Sequence, residues 1–289
     1  MRSEEDMLRL IMETAKNDAR IRAVVMNGSR VNAKVKKDIF QDFDIVYFVT
    51  AVEPFMENPR WIDCFGERMI MQTPETMLNT TPAGDGRFTY LMQFADGNRI
   101  DLRLVPVSQI NAQKNDSLSA LLLDKDGLFK PFASPGDRDY LPKPPTDRMF
   151  ADCCNEFWWV SAYVAKGLWR EEITYARHML DCIVREQLMK MLVWHIGVNT
   201  GFSCNPGTFG KHMKQYLEPP LWDLLQKTYS DAGCNNTWDA LEAMCDLFRT
   251  AAKRVAAHFS FEYPQSEDRN VSSHLRHVRL LPKDAEEMY

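Results

Sequence analysis

Two residue groups near the start of this 289-residue chain suit phosphoryl chemistry. Gly28-Ser29-Arg30 is a small turn sequence, and its glycine lets backbone N–H groups come close to an anion such as a phosphate. Asp42 and Asp44 stand at the head of the apolar run Ile45 to Val49, so strand alternation points both carboxylates to one face. Two charges about 4 Å apart repel by about 4 kcal/mol at an effective dielectric near 20. A divalent cation relieves that repulsion, and carboxylate oxygens suit Mg²⁺, which indicates nucleotide chemistry.

A third carboxylate, Asp101, lies on the polar side of a second alternating segment, Arg99 to Val105. Three acids from two strands can hold two Mg²⁺ ions, or the third acid can be the general base that takes the proton of an attacking hydroxyl. The sequence leaves both roles open for Asp101. By itself, a Gly-Ser pair is most often a simple turn, and an Asp-x-Asp pair is most often an exposed strand start. The combination of all three features favours the catalytic interpretation.

Hydrophobic periodicity predicts the elements that position these residues. Residues 5–17 have the pattern of an amphipathic helix, and strands are predicted at 21–26, 43–49, 68–72, 88–94 and 99–105. Asp96-Gly97-Asn98 has the turn chemistry that joins the last two strands as a hairpin. Farther along the chain, helices are predicted at 147–168, 171–199, 207–216, 219–230 and 236–260, and the charged tail from Pro264 has only a weak pattern.

These elements predict an α+β fold with two domains. A mixed β-sheet with helices is expected over residues 1–134, followed by a proline-rich linker at 135–146 and an all-α helical bundle at 147–289. Because ligand sites form preferentially at domain interfaces, we expect the site in a cleft between the two domains.

Composition narrows the class of protein. The formal net charge of -5 argues against a protein that binds nucleic acid through its phosphates, and it suits a cationic substrate better. Seven cysteines without a Cys-x-x-Cys pair indicate reduced thiols. The acidic start, Met1 to Asp6, lacks the apolar region of a signal peptide, and no apolar run is long enough to cross a bilayer. We expect a cytoplasmic monomer or homodimer, with neither a membrane nor a nucleic acid as partner.

The motifs also resemble those of a known family. Asn27-Gly28-Ser29-Arg30-Val31-Asn32 followed by Asp42-Phe43-Asp44-Ile45 is similar to the Gly-Ser…Asp-x-Asp signature of polymerase-β-like nucleotidyltransferases. That signature specifies the chemistry only. A more particular resemblance, to the aminoglycoside 6-adenylyltransferases, extends along nearly the whole chain through Tyr90-Leu91-Met92, Ile100-Asp101-Leu102, Leu123-Asp124-Lys125-Asp126, Asp152-Cys153-Cys154-Asn155-Glu156-Phe157-Trp158 and Tyr163-Val164-x-Lys166-Gly167-Leu168.

The resemblance implies transfer of AMP from ATP to a hydroxyl of streptomycin, at position 6, with Mg²⁺ as cofactor and pyrophosphate as leaving group. It implies that Asp42 and Asp44 bind the metal and that Asp101 is the base or a third metal ligand. The Gly28-Ser29-Arg30 turn would contact the triphosphate. We see no departure from the family pattern at these positions. The alternatives are the same chemistry on another aminoglycoside or on a protein, and a non-catalytic binding module of the toxin–antitoxin type.

The helical half is expected to hold the drug, because streptomycin carries two guanidinium groups that suit acids and aromatic faces. Asp152, Glu156 and Trp158 are the candidates, with Trp159 as a further one. Core packing for the tryptophans, Trp159 above all, and simple solvation for the acids are the alternatives. Lys166 and Arg170 lie one helical turn apart and can reach the β- and γ-phosphates, although a solvated helix end explains them about as well.

Overall fold

The computed structural model describes residues 1–78, 86–112 and 116–289, which divide into two compact units at residues 1–139 and 140–289. The narrower boundaries predicted at residues 134 and 146 remain predictions. Among the described residues, no helix has both the length and the apolar character that a bilayer span requires. All seven cysteines are free.

The N-terminal unit is built on a six-stranded mixed sheet whose order is β3-β4-β5-β2-β1-β6. Strands β2 and β5 run parallel, and every other neighbouring pair is antiparallel. The strands span β1 Ile21–Asn27, β2 Phe43–Val49, β3 Arg68–Gln72, β4 Phe88–Phe94, β5 Arg99–Pro106 and β6 Ser119–Asp124. Helix α1 (Glu4–Asn17) begins at a capping box formed by Ser3 and Asp6, and α2 spans Glu53–Glu57.

Strand alternation places the main core of this unit on one face of the sheet. Phe43, Ile45 and Tyr47 of β2 are almost completely buried there, together with Ile100 and Leu102 of β5. The intervening side chains of β2 and β5 point to the other face, on which Asp44 and Asp101 lie. The predicted hairpin is confirmed, because β4 and β5 pair antiparallel around the Asp96-Gly97-Asn98 turn.

The C-terminal unit is helical. Its helices are α3 Asp147–Trp169, α4 Ile173–His178, α5 Arg185–Thr200, α6 Pro219–Lys227, α7 Cys234–Phe259 and α8 Gln265–Leu280, with a π-helical segment at Met179–Val184 between α4 and α5. Thr146 caps α3 by accepting a hydrogen bond from the Met149 N–H. The predicted architecture, a mixed sheet with helices followed by a helical region, is therefore confirmed.

The structure differs from the predicted elements at three places: two elements that the sequence pattern does not predict, and one predicted helix that is absent from the described residues. Strand β6 was not predicted, since Ser119–Asp124 is a short apolar run without alternation. Helix α8 was not predicted because its buried positions include Asp268 and Ser272, which interrupt the apolar stripe. The helix predicted at 207–216 is wrong: two short 3₁₀ turns stand there, and Gly207, Phe209 and Gly210 have positive φ angles that an α-helix does not allow.

Candidate active site

Register across the sheet brings two of the three predicted carboxylates side by side. Asp44 of β2 is the direct partner of Asp101 of β5 in the parallel pair, and the antiparallel partner of Asn27 of β1. Neighbouring strands lie about 4.8 Å apart, and side chains in register point to the same face. Asp42 lies just before β2, two residues from Asp44, so its side chain points to the same face as that of Asp44. We call Asp42, Asp44 and Asp101 the acid cluster.

The glycine–serine turn lies directly against the acid cluster. Gly28–Val31 forms a single 3₁₀ turn at the end of β1, and Gly28 has a φ angle of +79°. A Cβ atom at position 28 would overlap Oδ2 of Asp44, so both the backbone angle and the space require glycine. Ser29 is half-buried, and its hydroxyl forms no hydrogen bond within the described ranges 1–78, 86–112 and 116–289. That hydroxyl is available for a ligand.

Arg30 has protein partners on every side of its guanidinium. Its Nε donates to the Asp42 carbonyl oxygen at 3.0 Å, and its Cζ lies 3.7 Å from the centroid of the Phe43 ring. Glu4 forms an ion pair with it at 3.5 Å, and the side chain is only 7% exposed. Burial lowers the pKa of this guanidinium. These contacts hold the segment before Asp42 in place, and the predicted contact of Arg30 with a triphosphate remains a prediction.

Arg99 contacts the acid cluster, although the sequence did not single it out as a site residue. This arginine binds Asp101 through two hydrogen bonds, from Nε to Oδ1 at 2.7 Å and from Nη2 to Oδ2 at 2.9 Å. Its Nε also lies 3.6 Å from Oδ2 of Asp42. The signal was present in the alternation of β5, because Arg99 stands two residues from Asp101 on the same polar face.

Two members of the acid cluster, Asp42 and Asp44, have raised pKa values, first because of burial and then because of neighbouring negative charge. Burial, together with the charges of Asp101 and Asp42, raises the pKa of Asp44 to about 6 against the opposing effects of Arg99 and Arg103. Burial also raises the pKa of Asp42, with Asp101 adding to the rise and Arg99 again opposing it. The hydrogen bonds to Asp101 raise the pKa of the Arg99 guanidinium. One arginine therefore offsets only part of the negative charge.

The predicted metal site can be tested against this arrangement. Within the described parts of the chain, no set of three His, Cys, Asp or Glu side chains is arranged to surround a metal ion. At the acid cluster, Arg99 binds both Asp101 oxygens. The donor chemistry still suits Mg²⁺, since Asp42 and Asp44 are hard carboxylate ligands and the charges of Asp42 and Asp101 both act on Asp44.

Among the residues predicted in the helical unit, the acids are accessible. Asp152 is paired with Arg148 at 2.9 Å, one turn away on α3, and its side chain is 60% exposed. Glu156 is half-buried and has no hydrogen-bond or ion-pair partner among the described residues. Both line one cavity of about 560 Å³, together with Lys190 and Trp194 of α5.

The two tryptophans occupy the opposite environments from those expected. Trp158 is 1% exposed and packs edge-on against Phe157 and Phe248 in the core. The guanidinium carbon of Arg249 lies 5.6 Å from the centroid of its ring, so the ring already has a cationic partner within the protein. This burial corrects the prediction that Trp158 contacts the drug. Trp159, for which core packing was favoured, is 60% exposed and donates its indole N–H to the Tyr163 hydroxyl. Consecutive helical residues differ by about 100° in direction, which separates the pair.

The two cations predicted for the phosphates lie at the end of α3. Lys166 is exposed and lies 5.1 Å from the centroid of the Tyr163 ring, and Arg170 is the residue that ends the helix. Both line a second cavity of about 440 Å³, with His274 of α8 and the segment that follows it. A phosphate-binding role for them remains a prediction.

Comparison with known proteins identifies the family. A family model described as streptomycin adenylyltransferase matches residues 1–278. The chain is 44% identical over 270 residues to an aminoglycoside 6-adenylyltransferase of Bacillus subtilis (strain 168), covering 93% of this chain and 95% of the relative. It is 42% identical over 270 residues to one of Campylobacter jejuni, covering 93% of each. A crystal structure of an aminoglycoside 6-adenyltransferase from Bacillus subtilis aligns with a TM-score of 0.48 and 39% identity, covering 97% of this chain and 100% of that one. On the family model and the sequence identities, this chain belongs to the streptomycin adenylyltransferase family.

Proposed function

We propose that this protein transfers AMP from ATP to the 6-hydroxyl of streptomycin, with Mg²⁺ as cofactor, and so inactivates the drug. The observation that carries the proposal is the register of Asp44 and Asp101 on neighbouring parallel strands, next to the Gly28–Val31 turn. Family membership adds the substrate class, because the matching model is that of streptomycin adenylyltransferases.

The reaction is a single displacement at phosphorus. The drug hydroxyl oxygen forms a bond to the α-phosphorus, the bond between the α-phosphorus and its bridging oxygen breaks, and the electron pair leaves on pyrophosphate. Negative charge spreads over the phosphoryl oxygens during this step, so positioning and electrostatic stabilisation supply the rate enhancement. No covalent intermediate on the protein is needed, which agrees with burial that raises the pKa of the Cys153 and Cys154 thiols.

Each residue of the candidate site has a part in this proposal. Asp42 and Asp44 would hold Mg²⁺, which neutralises phosphate charge and lowers the pKa of a bound hydroxyl. The turn at Gly28 and Ser29 offers the free Ser29 hydroxyl to the triphosphate, while the Gly28 N–H already donates to the Leu118 carbonyl oxygen at 3.0 Å. Two roles suit Asp101: it takes the proton of the attacking hydroxyl, or it is a third metal ligand.

The cationic substrate is assigned to acidic groups of the helical unit. Glu156 is the strongest candidate, since its half-buried carboxylate has no partner among the described residues. Asp152 already has Arg148 as a partner, so it would have to exchange one guanidinium for another. In this proposal Lys166 and Arg170 stabilise the β- and γ-phosphates.

The test is to incubate the protein with ATP, Mg²⁺ and streptomycin and to analyse the drug by mass spectrometry. We expect a product carrying one added AMP, with NMR placing the phosphodiester at position 6. The Asp44→Asn variant, which keeps the side-chain volume, should give no product above background. If the native protein leaves streptomycin unmodified, the proposal is wrong. If it modifies another aminoglycoside in preference, that aminoglycoside replaces streptomycin as the proposed substrate.

The two roles of Asp101 are separated by the pH dependence of Asp101→Asn. If Asp101 is the general base, turnover of the variant falls by orders of magnitude at neutral pH and rises with hydroxide concentration, while Mg²⁺ affinity changes little. If Asp101 is a metal ligand, the variant binds Mg²⁺ more weakly, and saturating Mg²⁺ restores part of the turnover.

A further inference from the structure

Arg99 and a divalent cation require the same oxygen atoms. Both oxygens of Asp101 accept hydrogen bonds from the Arg99 guanidinium, at 2.7 and 2.9 Å. The same Nε lies 3.6 Å from an Asp42 oxygen, so the guanidinium contacts two of the three carboxylates in the acid cluster. A metal ion bound between these acids competes with the two-pronged guanidinium for the lone pairs of those oxygens, and the two positive charges repel each other.

The Arg99 side chain is also placed so that it can leave. It is 40% exposed, and the side chains of Asp101 and Asp42 are 23% and 38% exposed. A partly exposed ion pair of this kind contributes little to stability, because water solvates both partners when they separate. Arg99 therefore compensates the acids without locking them, unlike Arg30, whose guanidinium is 7% exposed.

We propose that Arg99 is a built-in counter-ion that competes with the divalent metal for the acid cluster. In the absence of metal it neutralises Asp101 and part of the charge of Asp42, and the metal must displace it to bind. Arg99 thus lowers the affinity of the empty site for free metal ions. This inference rests on the proposed function only in assigning a metal to the acid cluster.

Strand β5 offers a matched control at Arg103. This arginine lies on the same alternating face four residues farther along, and its charge acts on Asp44, but it is exposed and makes no ion pair with the cluster in the described structure. Removing either arginine deletes one positive charge near the site. Only the removal of Arg99 also frees carboxylate oxygens, so the difference between the two variants measures direct competition.

The experiment measures Mn²⁺ binding by electron paramagnetic resonance, with neither nucleotide nor drug present. Mn²⁺ serves as the probe because it takes the same carboxylate ligands as Mg²⁺. We expect Arg99→Gln to bind Mn²⁺ about fivefold more tightly than Arg103→Gln, or about 1 kcal/mol at 1.4 kcal/mol per tenfold. Arg99→Lys, which keeps the charge and loses the two-pronged geometry, should lie between Arg99→Gln and the native protein.

A thermal melt without metal controls for folding. Arg99→Gln should melt below the native protein in EDTA, because its acids are uncompensated, and should recover with Mn²⁺ by more than Arg103→Gln does. Equal Mn²⁺ affinities for the two glutamine variants, or a weaker affinity for Arg99→Gln, would overturn the inference. The outcome is independent of turnover: a protein that does not modify streptomycin but shows the fivefold difference refutes the proposed function alone. Adenylylated streptomycin together with equal affinities refutes only the role of Arg99.

Discussion

Replacing Asp44 by asparagine should stabilise the metal-free protein at neutral pH, although it removes a residue central to the candidate site. The reason is the cost of ionising this side chain in the folded state. Its pKa is raised to about 6 by burial and by the neighbouring Asp101 and Asp42, against an ordinary value of 3.8. The folded protein therefore keeps a proton that the unfolded chain has released, and stability falls as the pH rises through this window.

The size of the effect follows from the two pKa values. One pKa unit corresponds to 1.36 kcal/mol, so well above pH 6 the carboxylate costs the folded state on the order of 3 kcal/mol. At pH 4.5 Asp44 is mostly protonated in the folded protein, and the cost falls to on the order of 1 kcal/mol. Asparagine resembles the protonated acid in shape and cannot ionise. The advantage of Asp44→Asn should thus grow from pH 4.5 to pH 7.5.

The assay is urea unfolding of both proteins in EDTA at the two pH values, with the free energy of unfolding compared pairwise. Asp96→Asn is the control of opposite sign, because ion pairing with Arg2 lowers the pKa of Asp96 and its carboxylate stabilises the fold at neutral pH. Saturating Mg²⁺ should reverse the ranking by stabilising only the native protein. A native protein as stable as Asp44→Asn at pH 7.5 without metal would refute the reasoning.

Three further predictions concern the glycine–serine turn, Arg30 and the two tryptophans of the helical unit. Gly28→Ala should lower turnover about 100-fold, since the new Cβ displaces the Asp44 carboxylate. The unfolding free energy should fall by about 1 to 3 kcal/mol because of the positive φ angle; near-normal turnover would contradict this prediction. Arg30→Met should cost about 2 kcal/mol in urea unfolding through lost contacts to Asp42 and Phe43; native stability with a raised KM for ATP would instead indicate a phosphate ligand. Trp158→Ala should lower the unfolding free energy by about 3 to 5 kcal/mol, and Trp159→Ala by less than about 0.5 kcal/mol; equal losses would contradict their assigned environments.

The sequence predicts a secondary-structure element well where a single residue pattern extends over all of it. Strand β5 alternates apolar and polar residues from Arg99 to Leu104, so the face of Asp101 follows from the pattern. Strand β2 is a nearly continuous apolar run, and only the spacing of Asp42 and Asp44 indicates their shared face. The adjacency of β2 and β5 does not follow, because the two strands are far apart in sequence and parallel pairing is set by the whole sheet order. Helix α8 is an element that the pattern does not predict. An aspartate in the sequence indicates a surface position, but Asp268 is buried because it forms an ion pair with Arg249.

The net charge of the acid cluster argues for the metal more directly than the motif does. Asp42, Asp44 and Asp101 carry three negative charges when ionised, and Arg99 returns one positive charge through its contacts with Asp101 and Asp42. Arg30 acts on Asp42 and Arg103 on Asp44 as further positive charges, but burial and the neighbouring carboxylates still leave the pKa values of Asp42 and Asp44 raised. A divalent cation supplies the missing charge with the ligand chemistry that carboxylates prefer. The sequence contains all four residues, but only the paired strands show which acids the arginine contacts.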